Sequence, residues 1–187
     1  MRDLSAQFRA NILQNPYNAA ILQRLASLAA PQAYLVAGCL FQSIWNLQSA
    51  RPVTENILDY DVFYFDANDL SWQAEDEVIQ RAAILFADLP VKVEVRNQAR
   101  VHLWYEKKFG APYSALASTE EGISRFLIAG ACVGISDDER IFAPHGLQAI
   151  DDGVLAINPH YPKPEMFFKK AASYQTRWPH LRIVSPA

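Results

Sequence analysis

The chain has 187 residues, 51% of them hydrophobic and 20% charged, with 17 Lys and Arg against 20 Asp and Glu for a net charge of −3. That balance supplies a globular core and excludes disorder, collagen and coiled coil as the main description. The mild acidity argues against a broad basic face for gripping nucleic acid, while leaving room for a local basic pocket for phosphates.

Taken in chain order, Ser5 to Gln14 places Phe8 and Ile12 on one helical stripe, and Asn15-Pro16 breaks it. Asn18 to Ala30 repeats the pattern with Ile21, Leu25 and Leu28 until Pro31. The apolar run Ala33 to Ala37, closed by Gly38, suits a buried strand, and Leu40 to Leu47 a helix with Phe41, Ile44 and Trp45 inward. Gln48 to Leu58, which contains Pro52, reads as a loop. Tyr60 to Phe65 is aromatic and β-branched on both faces, as expected of an interior strand. Ser71 to Asp88 is a long helix with Glu75, Asp76 and Glu77 near its positive end. Val91 to Arg96 alternates strictly and predicts a strand with one apolar and one charged face. Ala99 to Phe109 is a helix that Gly110 ends. In the last third, Ser118 and Glu121 form a capping box opening a helix through Phe126 and Leu127. Gly130 to Ser136 is a predicted strand, and Lys163 to Arg177 a terminal helix.

Alternating helices and strands predict an α/β (α+β) fold, a small mixed β-sheet flanked by helices. The expected organisation is a single domain over 1–187, with its core at about 18–110, a helical N-terminal segment and a less regular part from 111 to 187. No apolar run approaches the ~18 residues of a spanning helix. Met1 to Ala6 carries an early acid and no signal-peptide core, and Cys39 and Cys132 stand far apart, so a reduced, cytoplasmic setting is expected. His102, His145, His160 and His180 have no zinc-binding spacing.

Three carboxylates bear on chemistry. Asp59 and Asp61, two apart at the start of a strand, project to one face at the edge of the core. Carboxylates that close repel unless positive charge lies between them, and Mg²⁺, content with one or two carboxylates plus phosphate and water, answers that need. The competing reading has Asp59 capping the strand and Asp61 paired with an Arg or a backbone donor. Glu94 shares its strand face with Lys92 and Arg96. Alone it reads as a solvated, self-compensating face. Beside the Asp59–Asp61 strand it completes a three-acid cluster suited to divalent ions and in-line phosphoryl displacement, with Lys92 and Arg96 flanking the triphosphate. Gly38-Cys39, at a strand-to-helix junction, offers backbone approach and a helix N-terminus to phosphates.

In these residues the sequence resembles the nucleotidyltransferase superfamily that includes DNA polymerase β, whose pattern reads here as Ala37-Gly38-Cys39, Asp59-Tyr60-Asp61-Val62 and Glu94. More narrowly it is similar to a bacterial nucleotidyltransferase-like family of unassigned substrate. That likeness rests on Val36-Ala37-Gly38 with Ser43-Ile44-Trp45, on Asp59 to Asp66, and on Arg96 to Tyr105. Cys39 stands where the superfamily has Gly or Ser, and Gln48 to Leu58 lengthens the gap before Asp59. The resemblance implies Asp59 and Asp61 as ligands of Mg²⁺ (or Mn²⁺), with Glu94 as the third acid, helping to bind the catalytic metal and drawing the proton from an attacking hydroxyl. It implies Gly38, Cys39, Lys92 and Arg96 near the nucleotide, and Asn97, Arg100 and His102 as candidates for the substrate pocket. The expected activity is transfer of a nucleoside monophosphate from an NTP to a hydroxyl of an unknown small-molecule or protein acceptor. The alternative is a catalytically inactive nucleotide- or metal-binding module of the same fold.

Overall fold

The computed structural model describes residues 3–184. Helix α1 (Leu4–Ile12) begins where the Asp3 carboxylate accepts from the N–H groups of Ser5 and Ala6. Helix α2 (Pro16–Arg24) is capped in the same way by Asn15 and has proline in its first turn. The helix expected over 18–30 begins earlier and is shorter. Past Arg24 the chain tightens into a 3₁₀ turn (Leu25–Leu28), and Ala29 takes a left-handed conformation with φ 52° ahead of Pro31.

Five strands form the main sheet: β1 (Tyr34–Val36), β2 (Tyr60–Tyr64), β3 (Val93–Asn97), β4 (Gly134–Ser136) and β5 (Ile141–Phe142). Their order is β3-β2-β1-β4-β5, so β2 is interior as its two-sided apolar sequence predicts. Strands β2 and β3 are parallel and the other pairs antiparallel, which makes the sheet mixed. Helix α3 (Gly38–Gln48) follows β1 directly, and helix α4 (Trp72–Leu85) is the crossover from β2 to β3. Register puts Leu35, Val62, Val95 and Ile135 in one apolar row across the sheet, each at most 2% exposed. The other face carries Val36, Asp61 and Glu94 in one row and Tyr34, Phe63 and Arg96 in the next. Its cover comes from the second half of the chain.

That half contains α5 (Val101–Phe109), α6 (Thr119–Ile123), α7 (Gln148–Asp151), α8 (Pro164–Arg177) and a parallel pair, β6 (Val154–Ala156) with β7 (Arg182–Val184). Helix α6 stops at Ile123, short of the expected Leu127. Asn158 Nδ2 donates to the carbonyls of Ser124 and Phe126, at 2.7 and 2.8 Å, and the Asn158 N–H to that of Leu127. These bonds hold Ser124 to Leu127 as an irregular segment. The strand expected over 130–136 shortens because Ala129–Ala131 forms a 3₁₀ turn. Gly134 lets α6 close on the sheet: a Cβ there would lie 2.8 Å from Ile123 Cδ1. No helix among the described residues is long and apolar enough to cross a membrane.

Candidate functional site

Asp61 sits opposite Val36 of β1 and opposite Glu94 of β3 in the sheet register. Paired residues in a sheet point the same way, so the acids on neighbouring strands share a face. Asp59 and Asp61 both line a cleft of about 440 Å³ with Ala37, Gly38, Gln42, Lys170 and Tyr174. Burial pushes the Asp61 carboxyl up to about 7, with the charges of Asp59 and Glu94 adding to it and Lys170 and Arg96 opposing. Glu94 moves the other way. Its bond to Lys92 holds its carboxyl below the usual range, and Arg96 stands 3.7 Å from it.

The turn between β1 and α3 is strained. Ala37 has φ 52° and ψ −114°, a region that favours glycine. Helix α3 has no side-chain N-cap, so the first-turn N–H groups of Gly38 and Cys39 are available to an anion. The Cys39 thiol is not available. It is fully buried beneath Asp61 and donates to the Val36 carbonyl, and burial raises it well above the usual thiol range. Below the turn lies a buried polar network: Asn15 donates to Ser43 and Tyr60, and Asn18 and Ser43 donate to the Cys39 carbonyl. The network anchors α2 to α3 and fixes where the turn points.

Gln42, one turn into α3, is 6% exposed and lines the cleft beside Gly38. Its Oε1 has no hydrogen-bond partner, and its Nε2 lies 2.8 Å from where a Gly38 Cβ would stand. Sequence reasoning missed this residue, although its position four after Gly38 places it on the same helix face. Lys170 and Tyr174 were missed too, because they arrive from α8. That helix docks through Tyr174 and Trp178, whose rings meet Trp45 of α3 at 5.5 and 5.6 Å. Burial and Arg177 lower the Lys170 ammonium, while Asp59 and Asp61 pull it upward.

Of the remaining candidates, Lys92 is exposed just before β3 and paired with Glu94, and Arg96 stands beside the same acid. Asn97 and Arg100 are held by structural partners. The Asn97 N–H donates to Glu75, its side chain bridges Asp66 and Ala99, and Arg100 forms a buried ion pair with Glu75 and donates to the Leu70 carbonyl. These contacts pin the start of α4 to the end of β3. His102 on α5 is half-buried with an unpartnered Nδ1. None of the three lines the cleft.

The hard oxygen donors of Asp59 and Asp61 fit a divalent cation that takes its other ligands from phosphate and water. Burial, with the charges of Asp59 and Glu94, holds the Asp61 carboxyl up, a cost that a bound cation would relieve. Among the described residues no three His, Cys, Asp or Glu side chains stand close enough to hold an ion by themselves. Glu94 is turned to Lys92, so its joining a metal requires exchange of that pair.

The site thus sets a strand, a glycine turn and a helix N-terminus against an acidic pair at the start of the neighbouring strand. A family model for nucleotidyltransferases matches residues 23–183, and the chain belongs to that family. A solved NMR structure reported to reveal a CCA-adding enzyme head domain has the same fold, with a TM-score of 0.75 and 22% identity over 98% of this chain and 95% of that chain. No curated protein matches the sequence. Membership of the family supports a nucleotide-transfer function and implies an NTP as donor.

Proposed function

We propose that the chain transfers a nucleoside monophosphate from an NTP to an acceptor hydroxyl, with Mg²⁺ or Mn²⁺ at Asp59 and Asp61. The observation that carries this reading is one cleft lined by Gly38, Asp59 and Asp61, with Glu94 in register beside Asp61. The first-turn N–H groups of α3 and Gln42 Nε2 bind the β- and γ-phosphates, and Lys170 adds charge from the opposite wall. A bound divalent ion supplies charge neutralisation at the phosphates and lowers the barrier to displacement. The acceptor oxygen bonds to the α-phosphorus as the bond to the β-phosphate bridging oxygen breaks. Its electron pair leaves on pyrophosphate, and the hydroxyl proton passes to Glu94 and then to water.

One observation favours the second reading, a binding module without turnover: Glu94 is engaged by Lys92 and Arg96 and not by the acidic pair. Incubation of the full chain with each α-labelled NTP, Mg²⁺ or Mn²⁺ and cell extract tests both. Labelled product from wild type and none from Asp61→Asn is the expected result. Metal-dependent NTP binding without product under every condition supports the module instead.

A further inference from the structure

A second cavity, of about 280 Å³, opens beside the acidic cleft. The two share Phe109, Phe126, Leu127 and Met166 as a common lip. The sheet fixes their separation. Phe63 and Arg96, which line the second cavity, are register partners two residues beyond Asp61 and Glu94 on the same strands and the same face. At ~3.3 Å per residue, the two sites lie about 7 Å apart.

The walls of this cavity are rings. Phe63 stacks on Phe126 at 5.6 Å and 19°. Tyr105 lies 4.3 Å from Tyr113, and the Arg125 guanidinium lies 4.7 Å over the other ring of that pair, Tyr113. The hydroxyls of Tyr105 and Tyr161 bond each other at 3.1 Å, so their polar tips are satisfied, and Tyr105 also packs on Phe109 at 4.6 Å. Arg125 is paired with Glu121, and Arg96 at the sheet side of the cavity stands 3.7 Å from Glu94. Just below the ~300–1,000 Å³ range of ligand sites, such a space admits a one- or two-ring group. Rings against rings gain about 0.5–1.5 kcal/mol beyond the area they bury, which an aliphatic group of the same size does not.

The direction of attack says which substrate owns it. Displacement at phosphorus runs in line, with the nucleophile opposite the leaving group. Pyrophosphate departs toward Gly38, on the β1 side of Asp61. The attacking hydroxyl therefore enters over Glu94 on the β3 side, and the ring-lined cavity, one same-face step along β2 and β3 from Asp61 and Glu94, is the space beside that approach. We propose that this cavity binds the acceptor, and that the acceptor carries a planar aromatic ring close to the hydroxyl that receives the nucleotide. The inference rests on the nucleotide-transfer reading above. The ring is held at Tyr105 and Tyr113, the hydroxyl oxygen forms the bond to the α-phosphorus, the bond to the bridging oxygen breaks with its pair on pyrophosphate, and the proton goes to Glu94.

The test uses the full chain with Mg²⁺, a non-hydrolysable NTP analogue, and two probe alcohols, 2-(indol-3-yl)ethanol and 2-cyclohexylethanol. Binding is read by saturation-transfer NMR, and transfer by α-labelled NTP. The indole alcohol should bind more tightly than the cyclohexyl one, and Tyr105→Leu should weaken it about tenfold while leaving affinity for the analogue unchanged. Tyr113→Leu serves in the same way if Tyr105→Leu does not fold. Equal binding of the two alcohols, with the analogue still bound, overturns the acceptor proposal alone. A tenfold loss of analogue affinity in the leucine variant also overturns it, by placing the nucleobase in the cavity. Failure of wild type to bind the analogue while the indole alcohol binds removes the transfer reading and the acceptor role together.

Discussion

Asp61 is a carboxylate that the fold resists ionising. Its pKa is raised to about 7 from an unfolded value near 4, so unfolding releases a proton at neutral pH. The sign follows: native stability falls as pH climbs from about 4 to about 7, then stays level, by at most about 4 kcal/mol. Asp61→Asn removes that slope. In EDTA at pH 8 the variant should be more stable than wild type by about 1–3 kcal/mol, with the gap closing toward pH 4 in urea titrations. Added Mg²⁺ should narrow it by stabilising wild type only. A variant less stable than wild type at pH 8 would give Asp61 a structural partner. Glu94 makes the opposite case, a carboxylate kept ionised by Lys92. Glu94→Gln leaves Asp59 and Asp61 to hold the nucleotide-bound ion, so affinity for an NTP analogue should stay near normal. Transfer should fall about a hundredfold or more, the scale of a lost proton acceptor or electrostatic stabiliser. Equal rates would leave Glu94 as part of a salt-bridged strand face.

At the scale of elements, the β1–α3 turn and the two acid strands were legible in the sequence because their signals are local. An apolar run closed by Gly38 marked the turn, parity two apart joined Asp59 to Asp61, and strict alternation put Glu94 with Lys92 and Arg96. What local pattern does not carry is who sits beside whom. The parallel pairing that sets Glu94 against Asp61 comes from the α4 crossover, and the early end of α6 comes from Asn158, a distant residue in sequence. Asn97 and Arg100 are instructive in the same way. They follow the third strand as substrate residues would, yet a buried partner on α4, Glu75, takes both. The turn itself yields a prediction. A Cβ at Gly38 meets only Gln42 within 4 Å, and that flexible side chain can withdraw. Gly38→Ala should therefore melt within about 2 °C of wild type, alanine being the better helix former. It should bind an Mg²⁺–NTP analogue about tenfold more weakly, because the methyl group and the displaced Gln42 amide stand where phosphate approaches the backbone. Undiminished affinity in calorimetric titration would move the phosphates away from this turn.

Across the whole molecule, the second half of the chain closes over the first, and this was the least legible part of the sequence. The span of α8 was readable from its helical pattern. Its place was not, since the contacts that seat it join Trp178 to Asn46 and Trp45 across most of the chain. Strands of two or three residues, β5, β6 and β7, are also too short for alternation to register. The seating of α8 matters for the site because the same helix carries Lys170 to the two aspartates. Trp178 is 0% exposed, its Nε1 donates to Asn46 Oδ1 at 2.7 Å, and the Arg177 guanidinium covers its ring at 4.7 Å. Trp178→Ala empties a packed aromatic position and should cost about 3–5 kcal/mol in urea unfolding. Trp178→Phe keeps most of the packing and leaves Asn46 Oδ1 unpaired, for about 1–3 kcal/mol. If α8 positions Lys170, NTP-analogue affinity measured where all three proteins are folded should fall in the order wild type, Trp178→Phe, Trp178→Ala. Lys170→Met, which removes the charge without unseating the helix, should match the Trp178→Ala loss of affinity at near-native stability. Affinities unchanged in both Trp178 variants and in Lys170→Met would confine α8 to covering the sheet and leave phosphate binding to the β1–α3 turn alone.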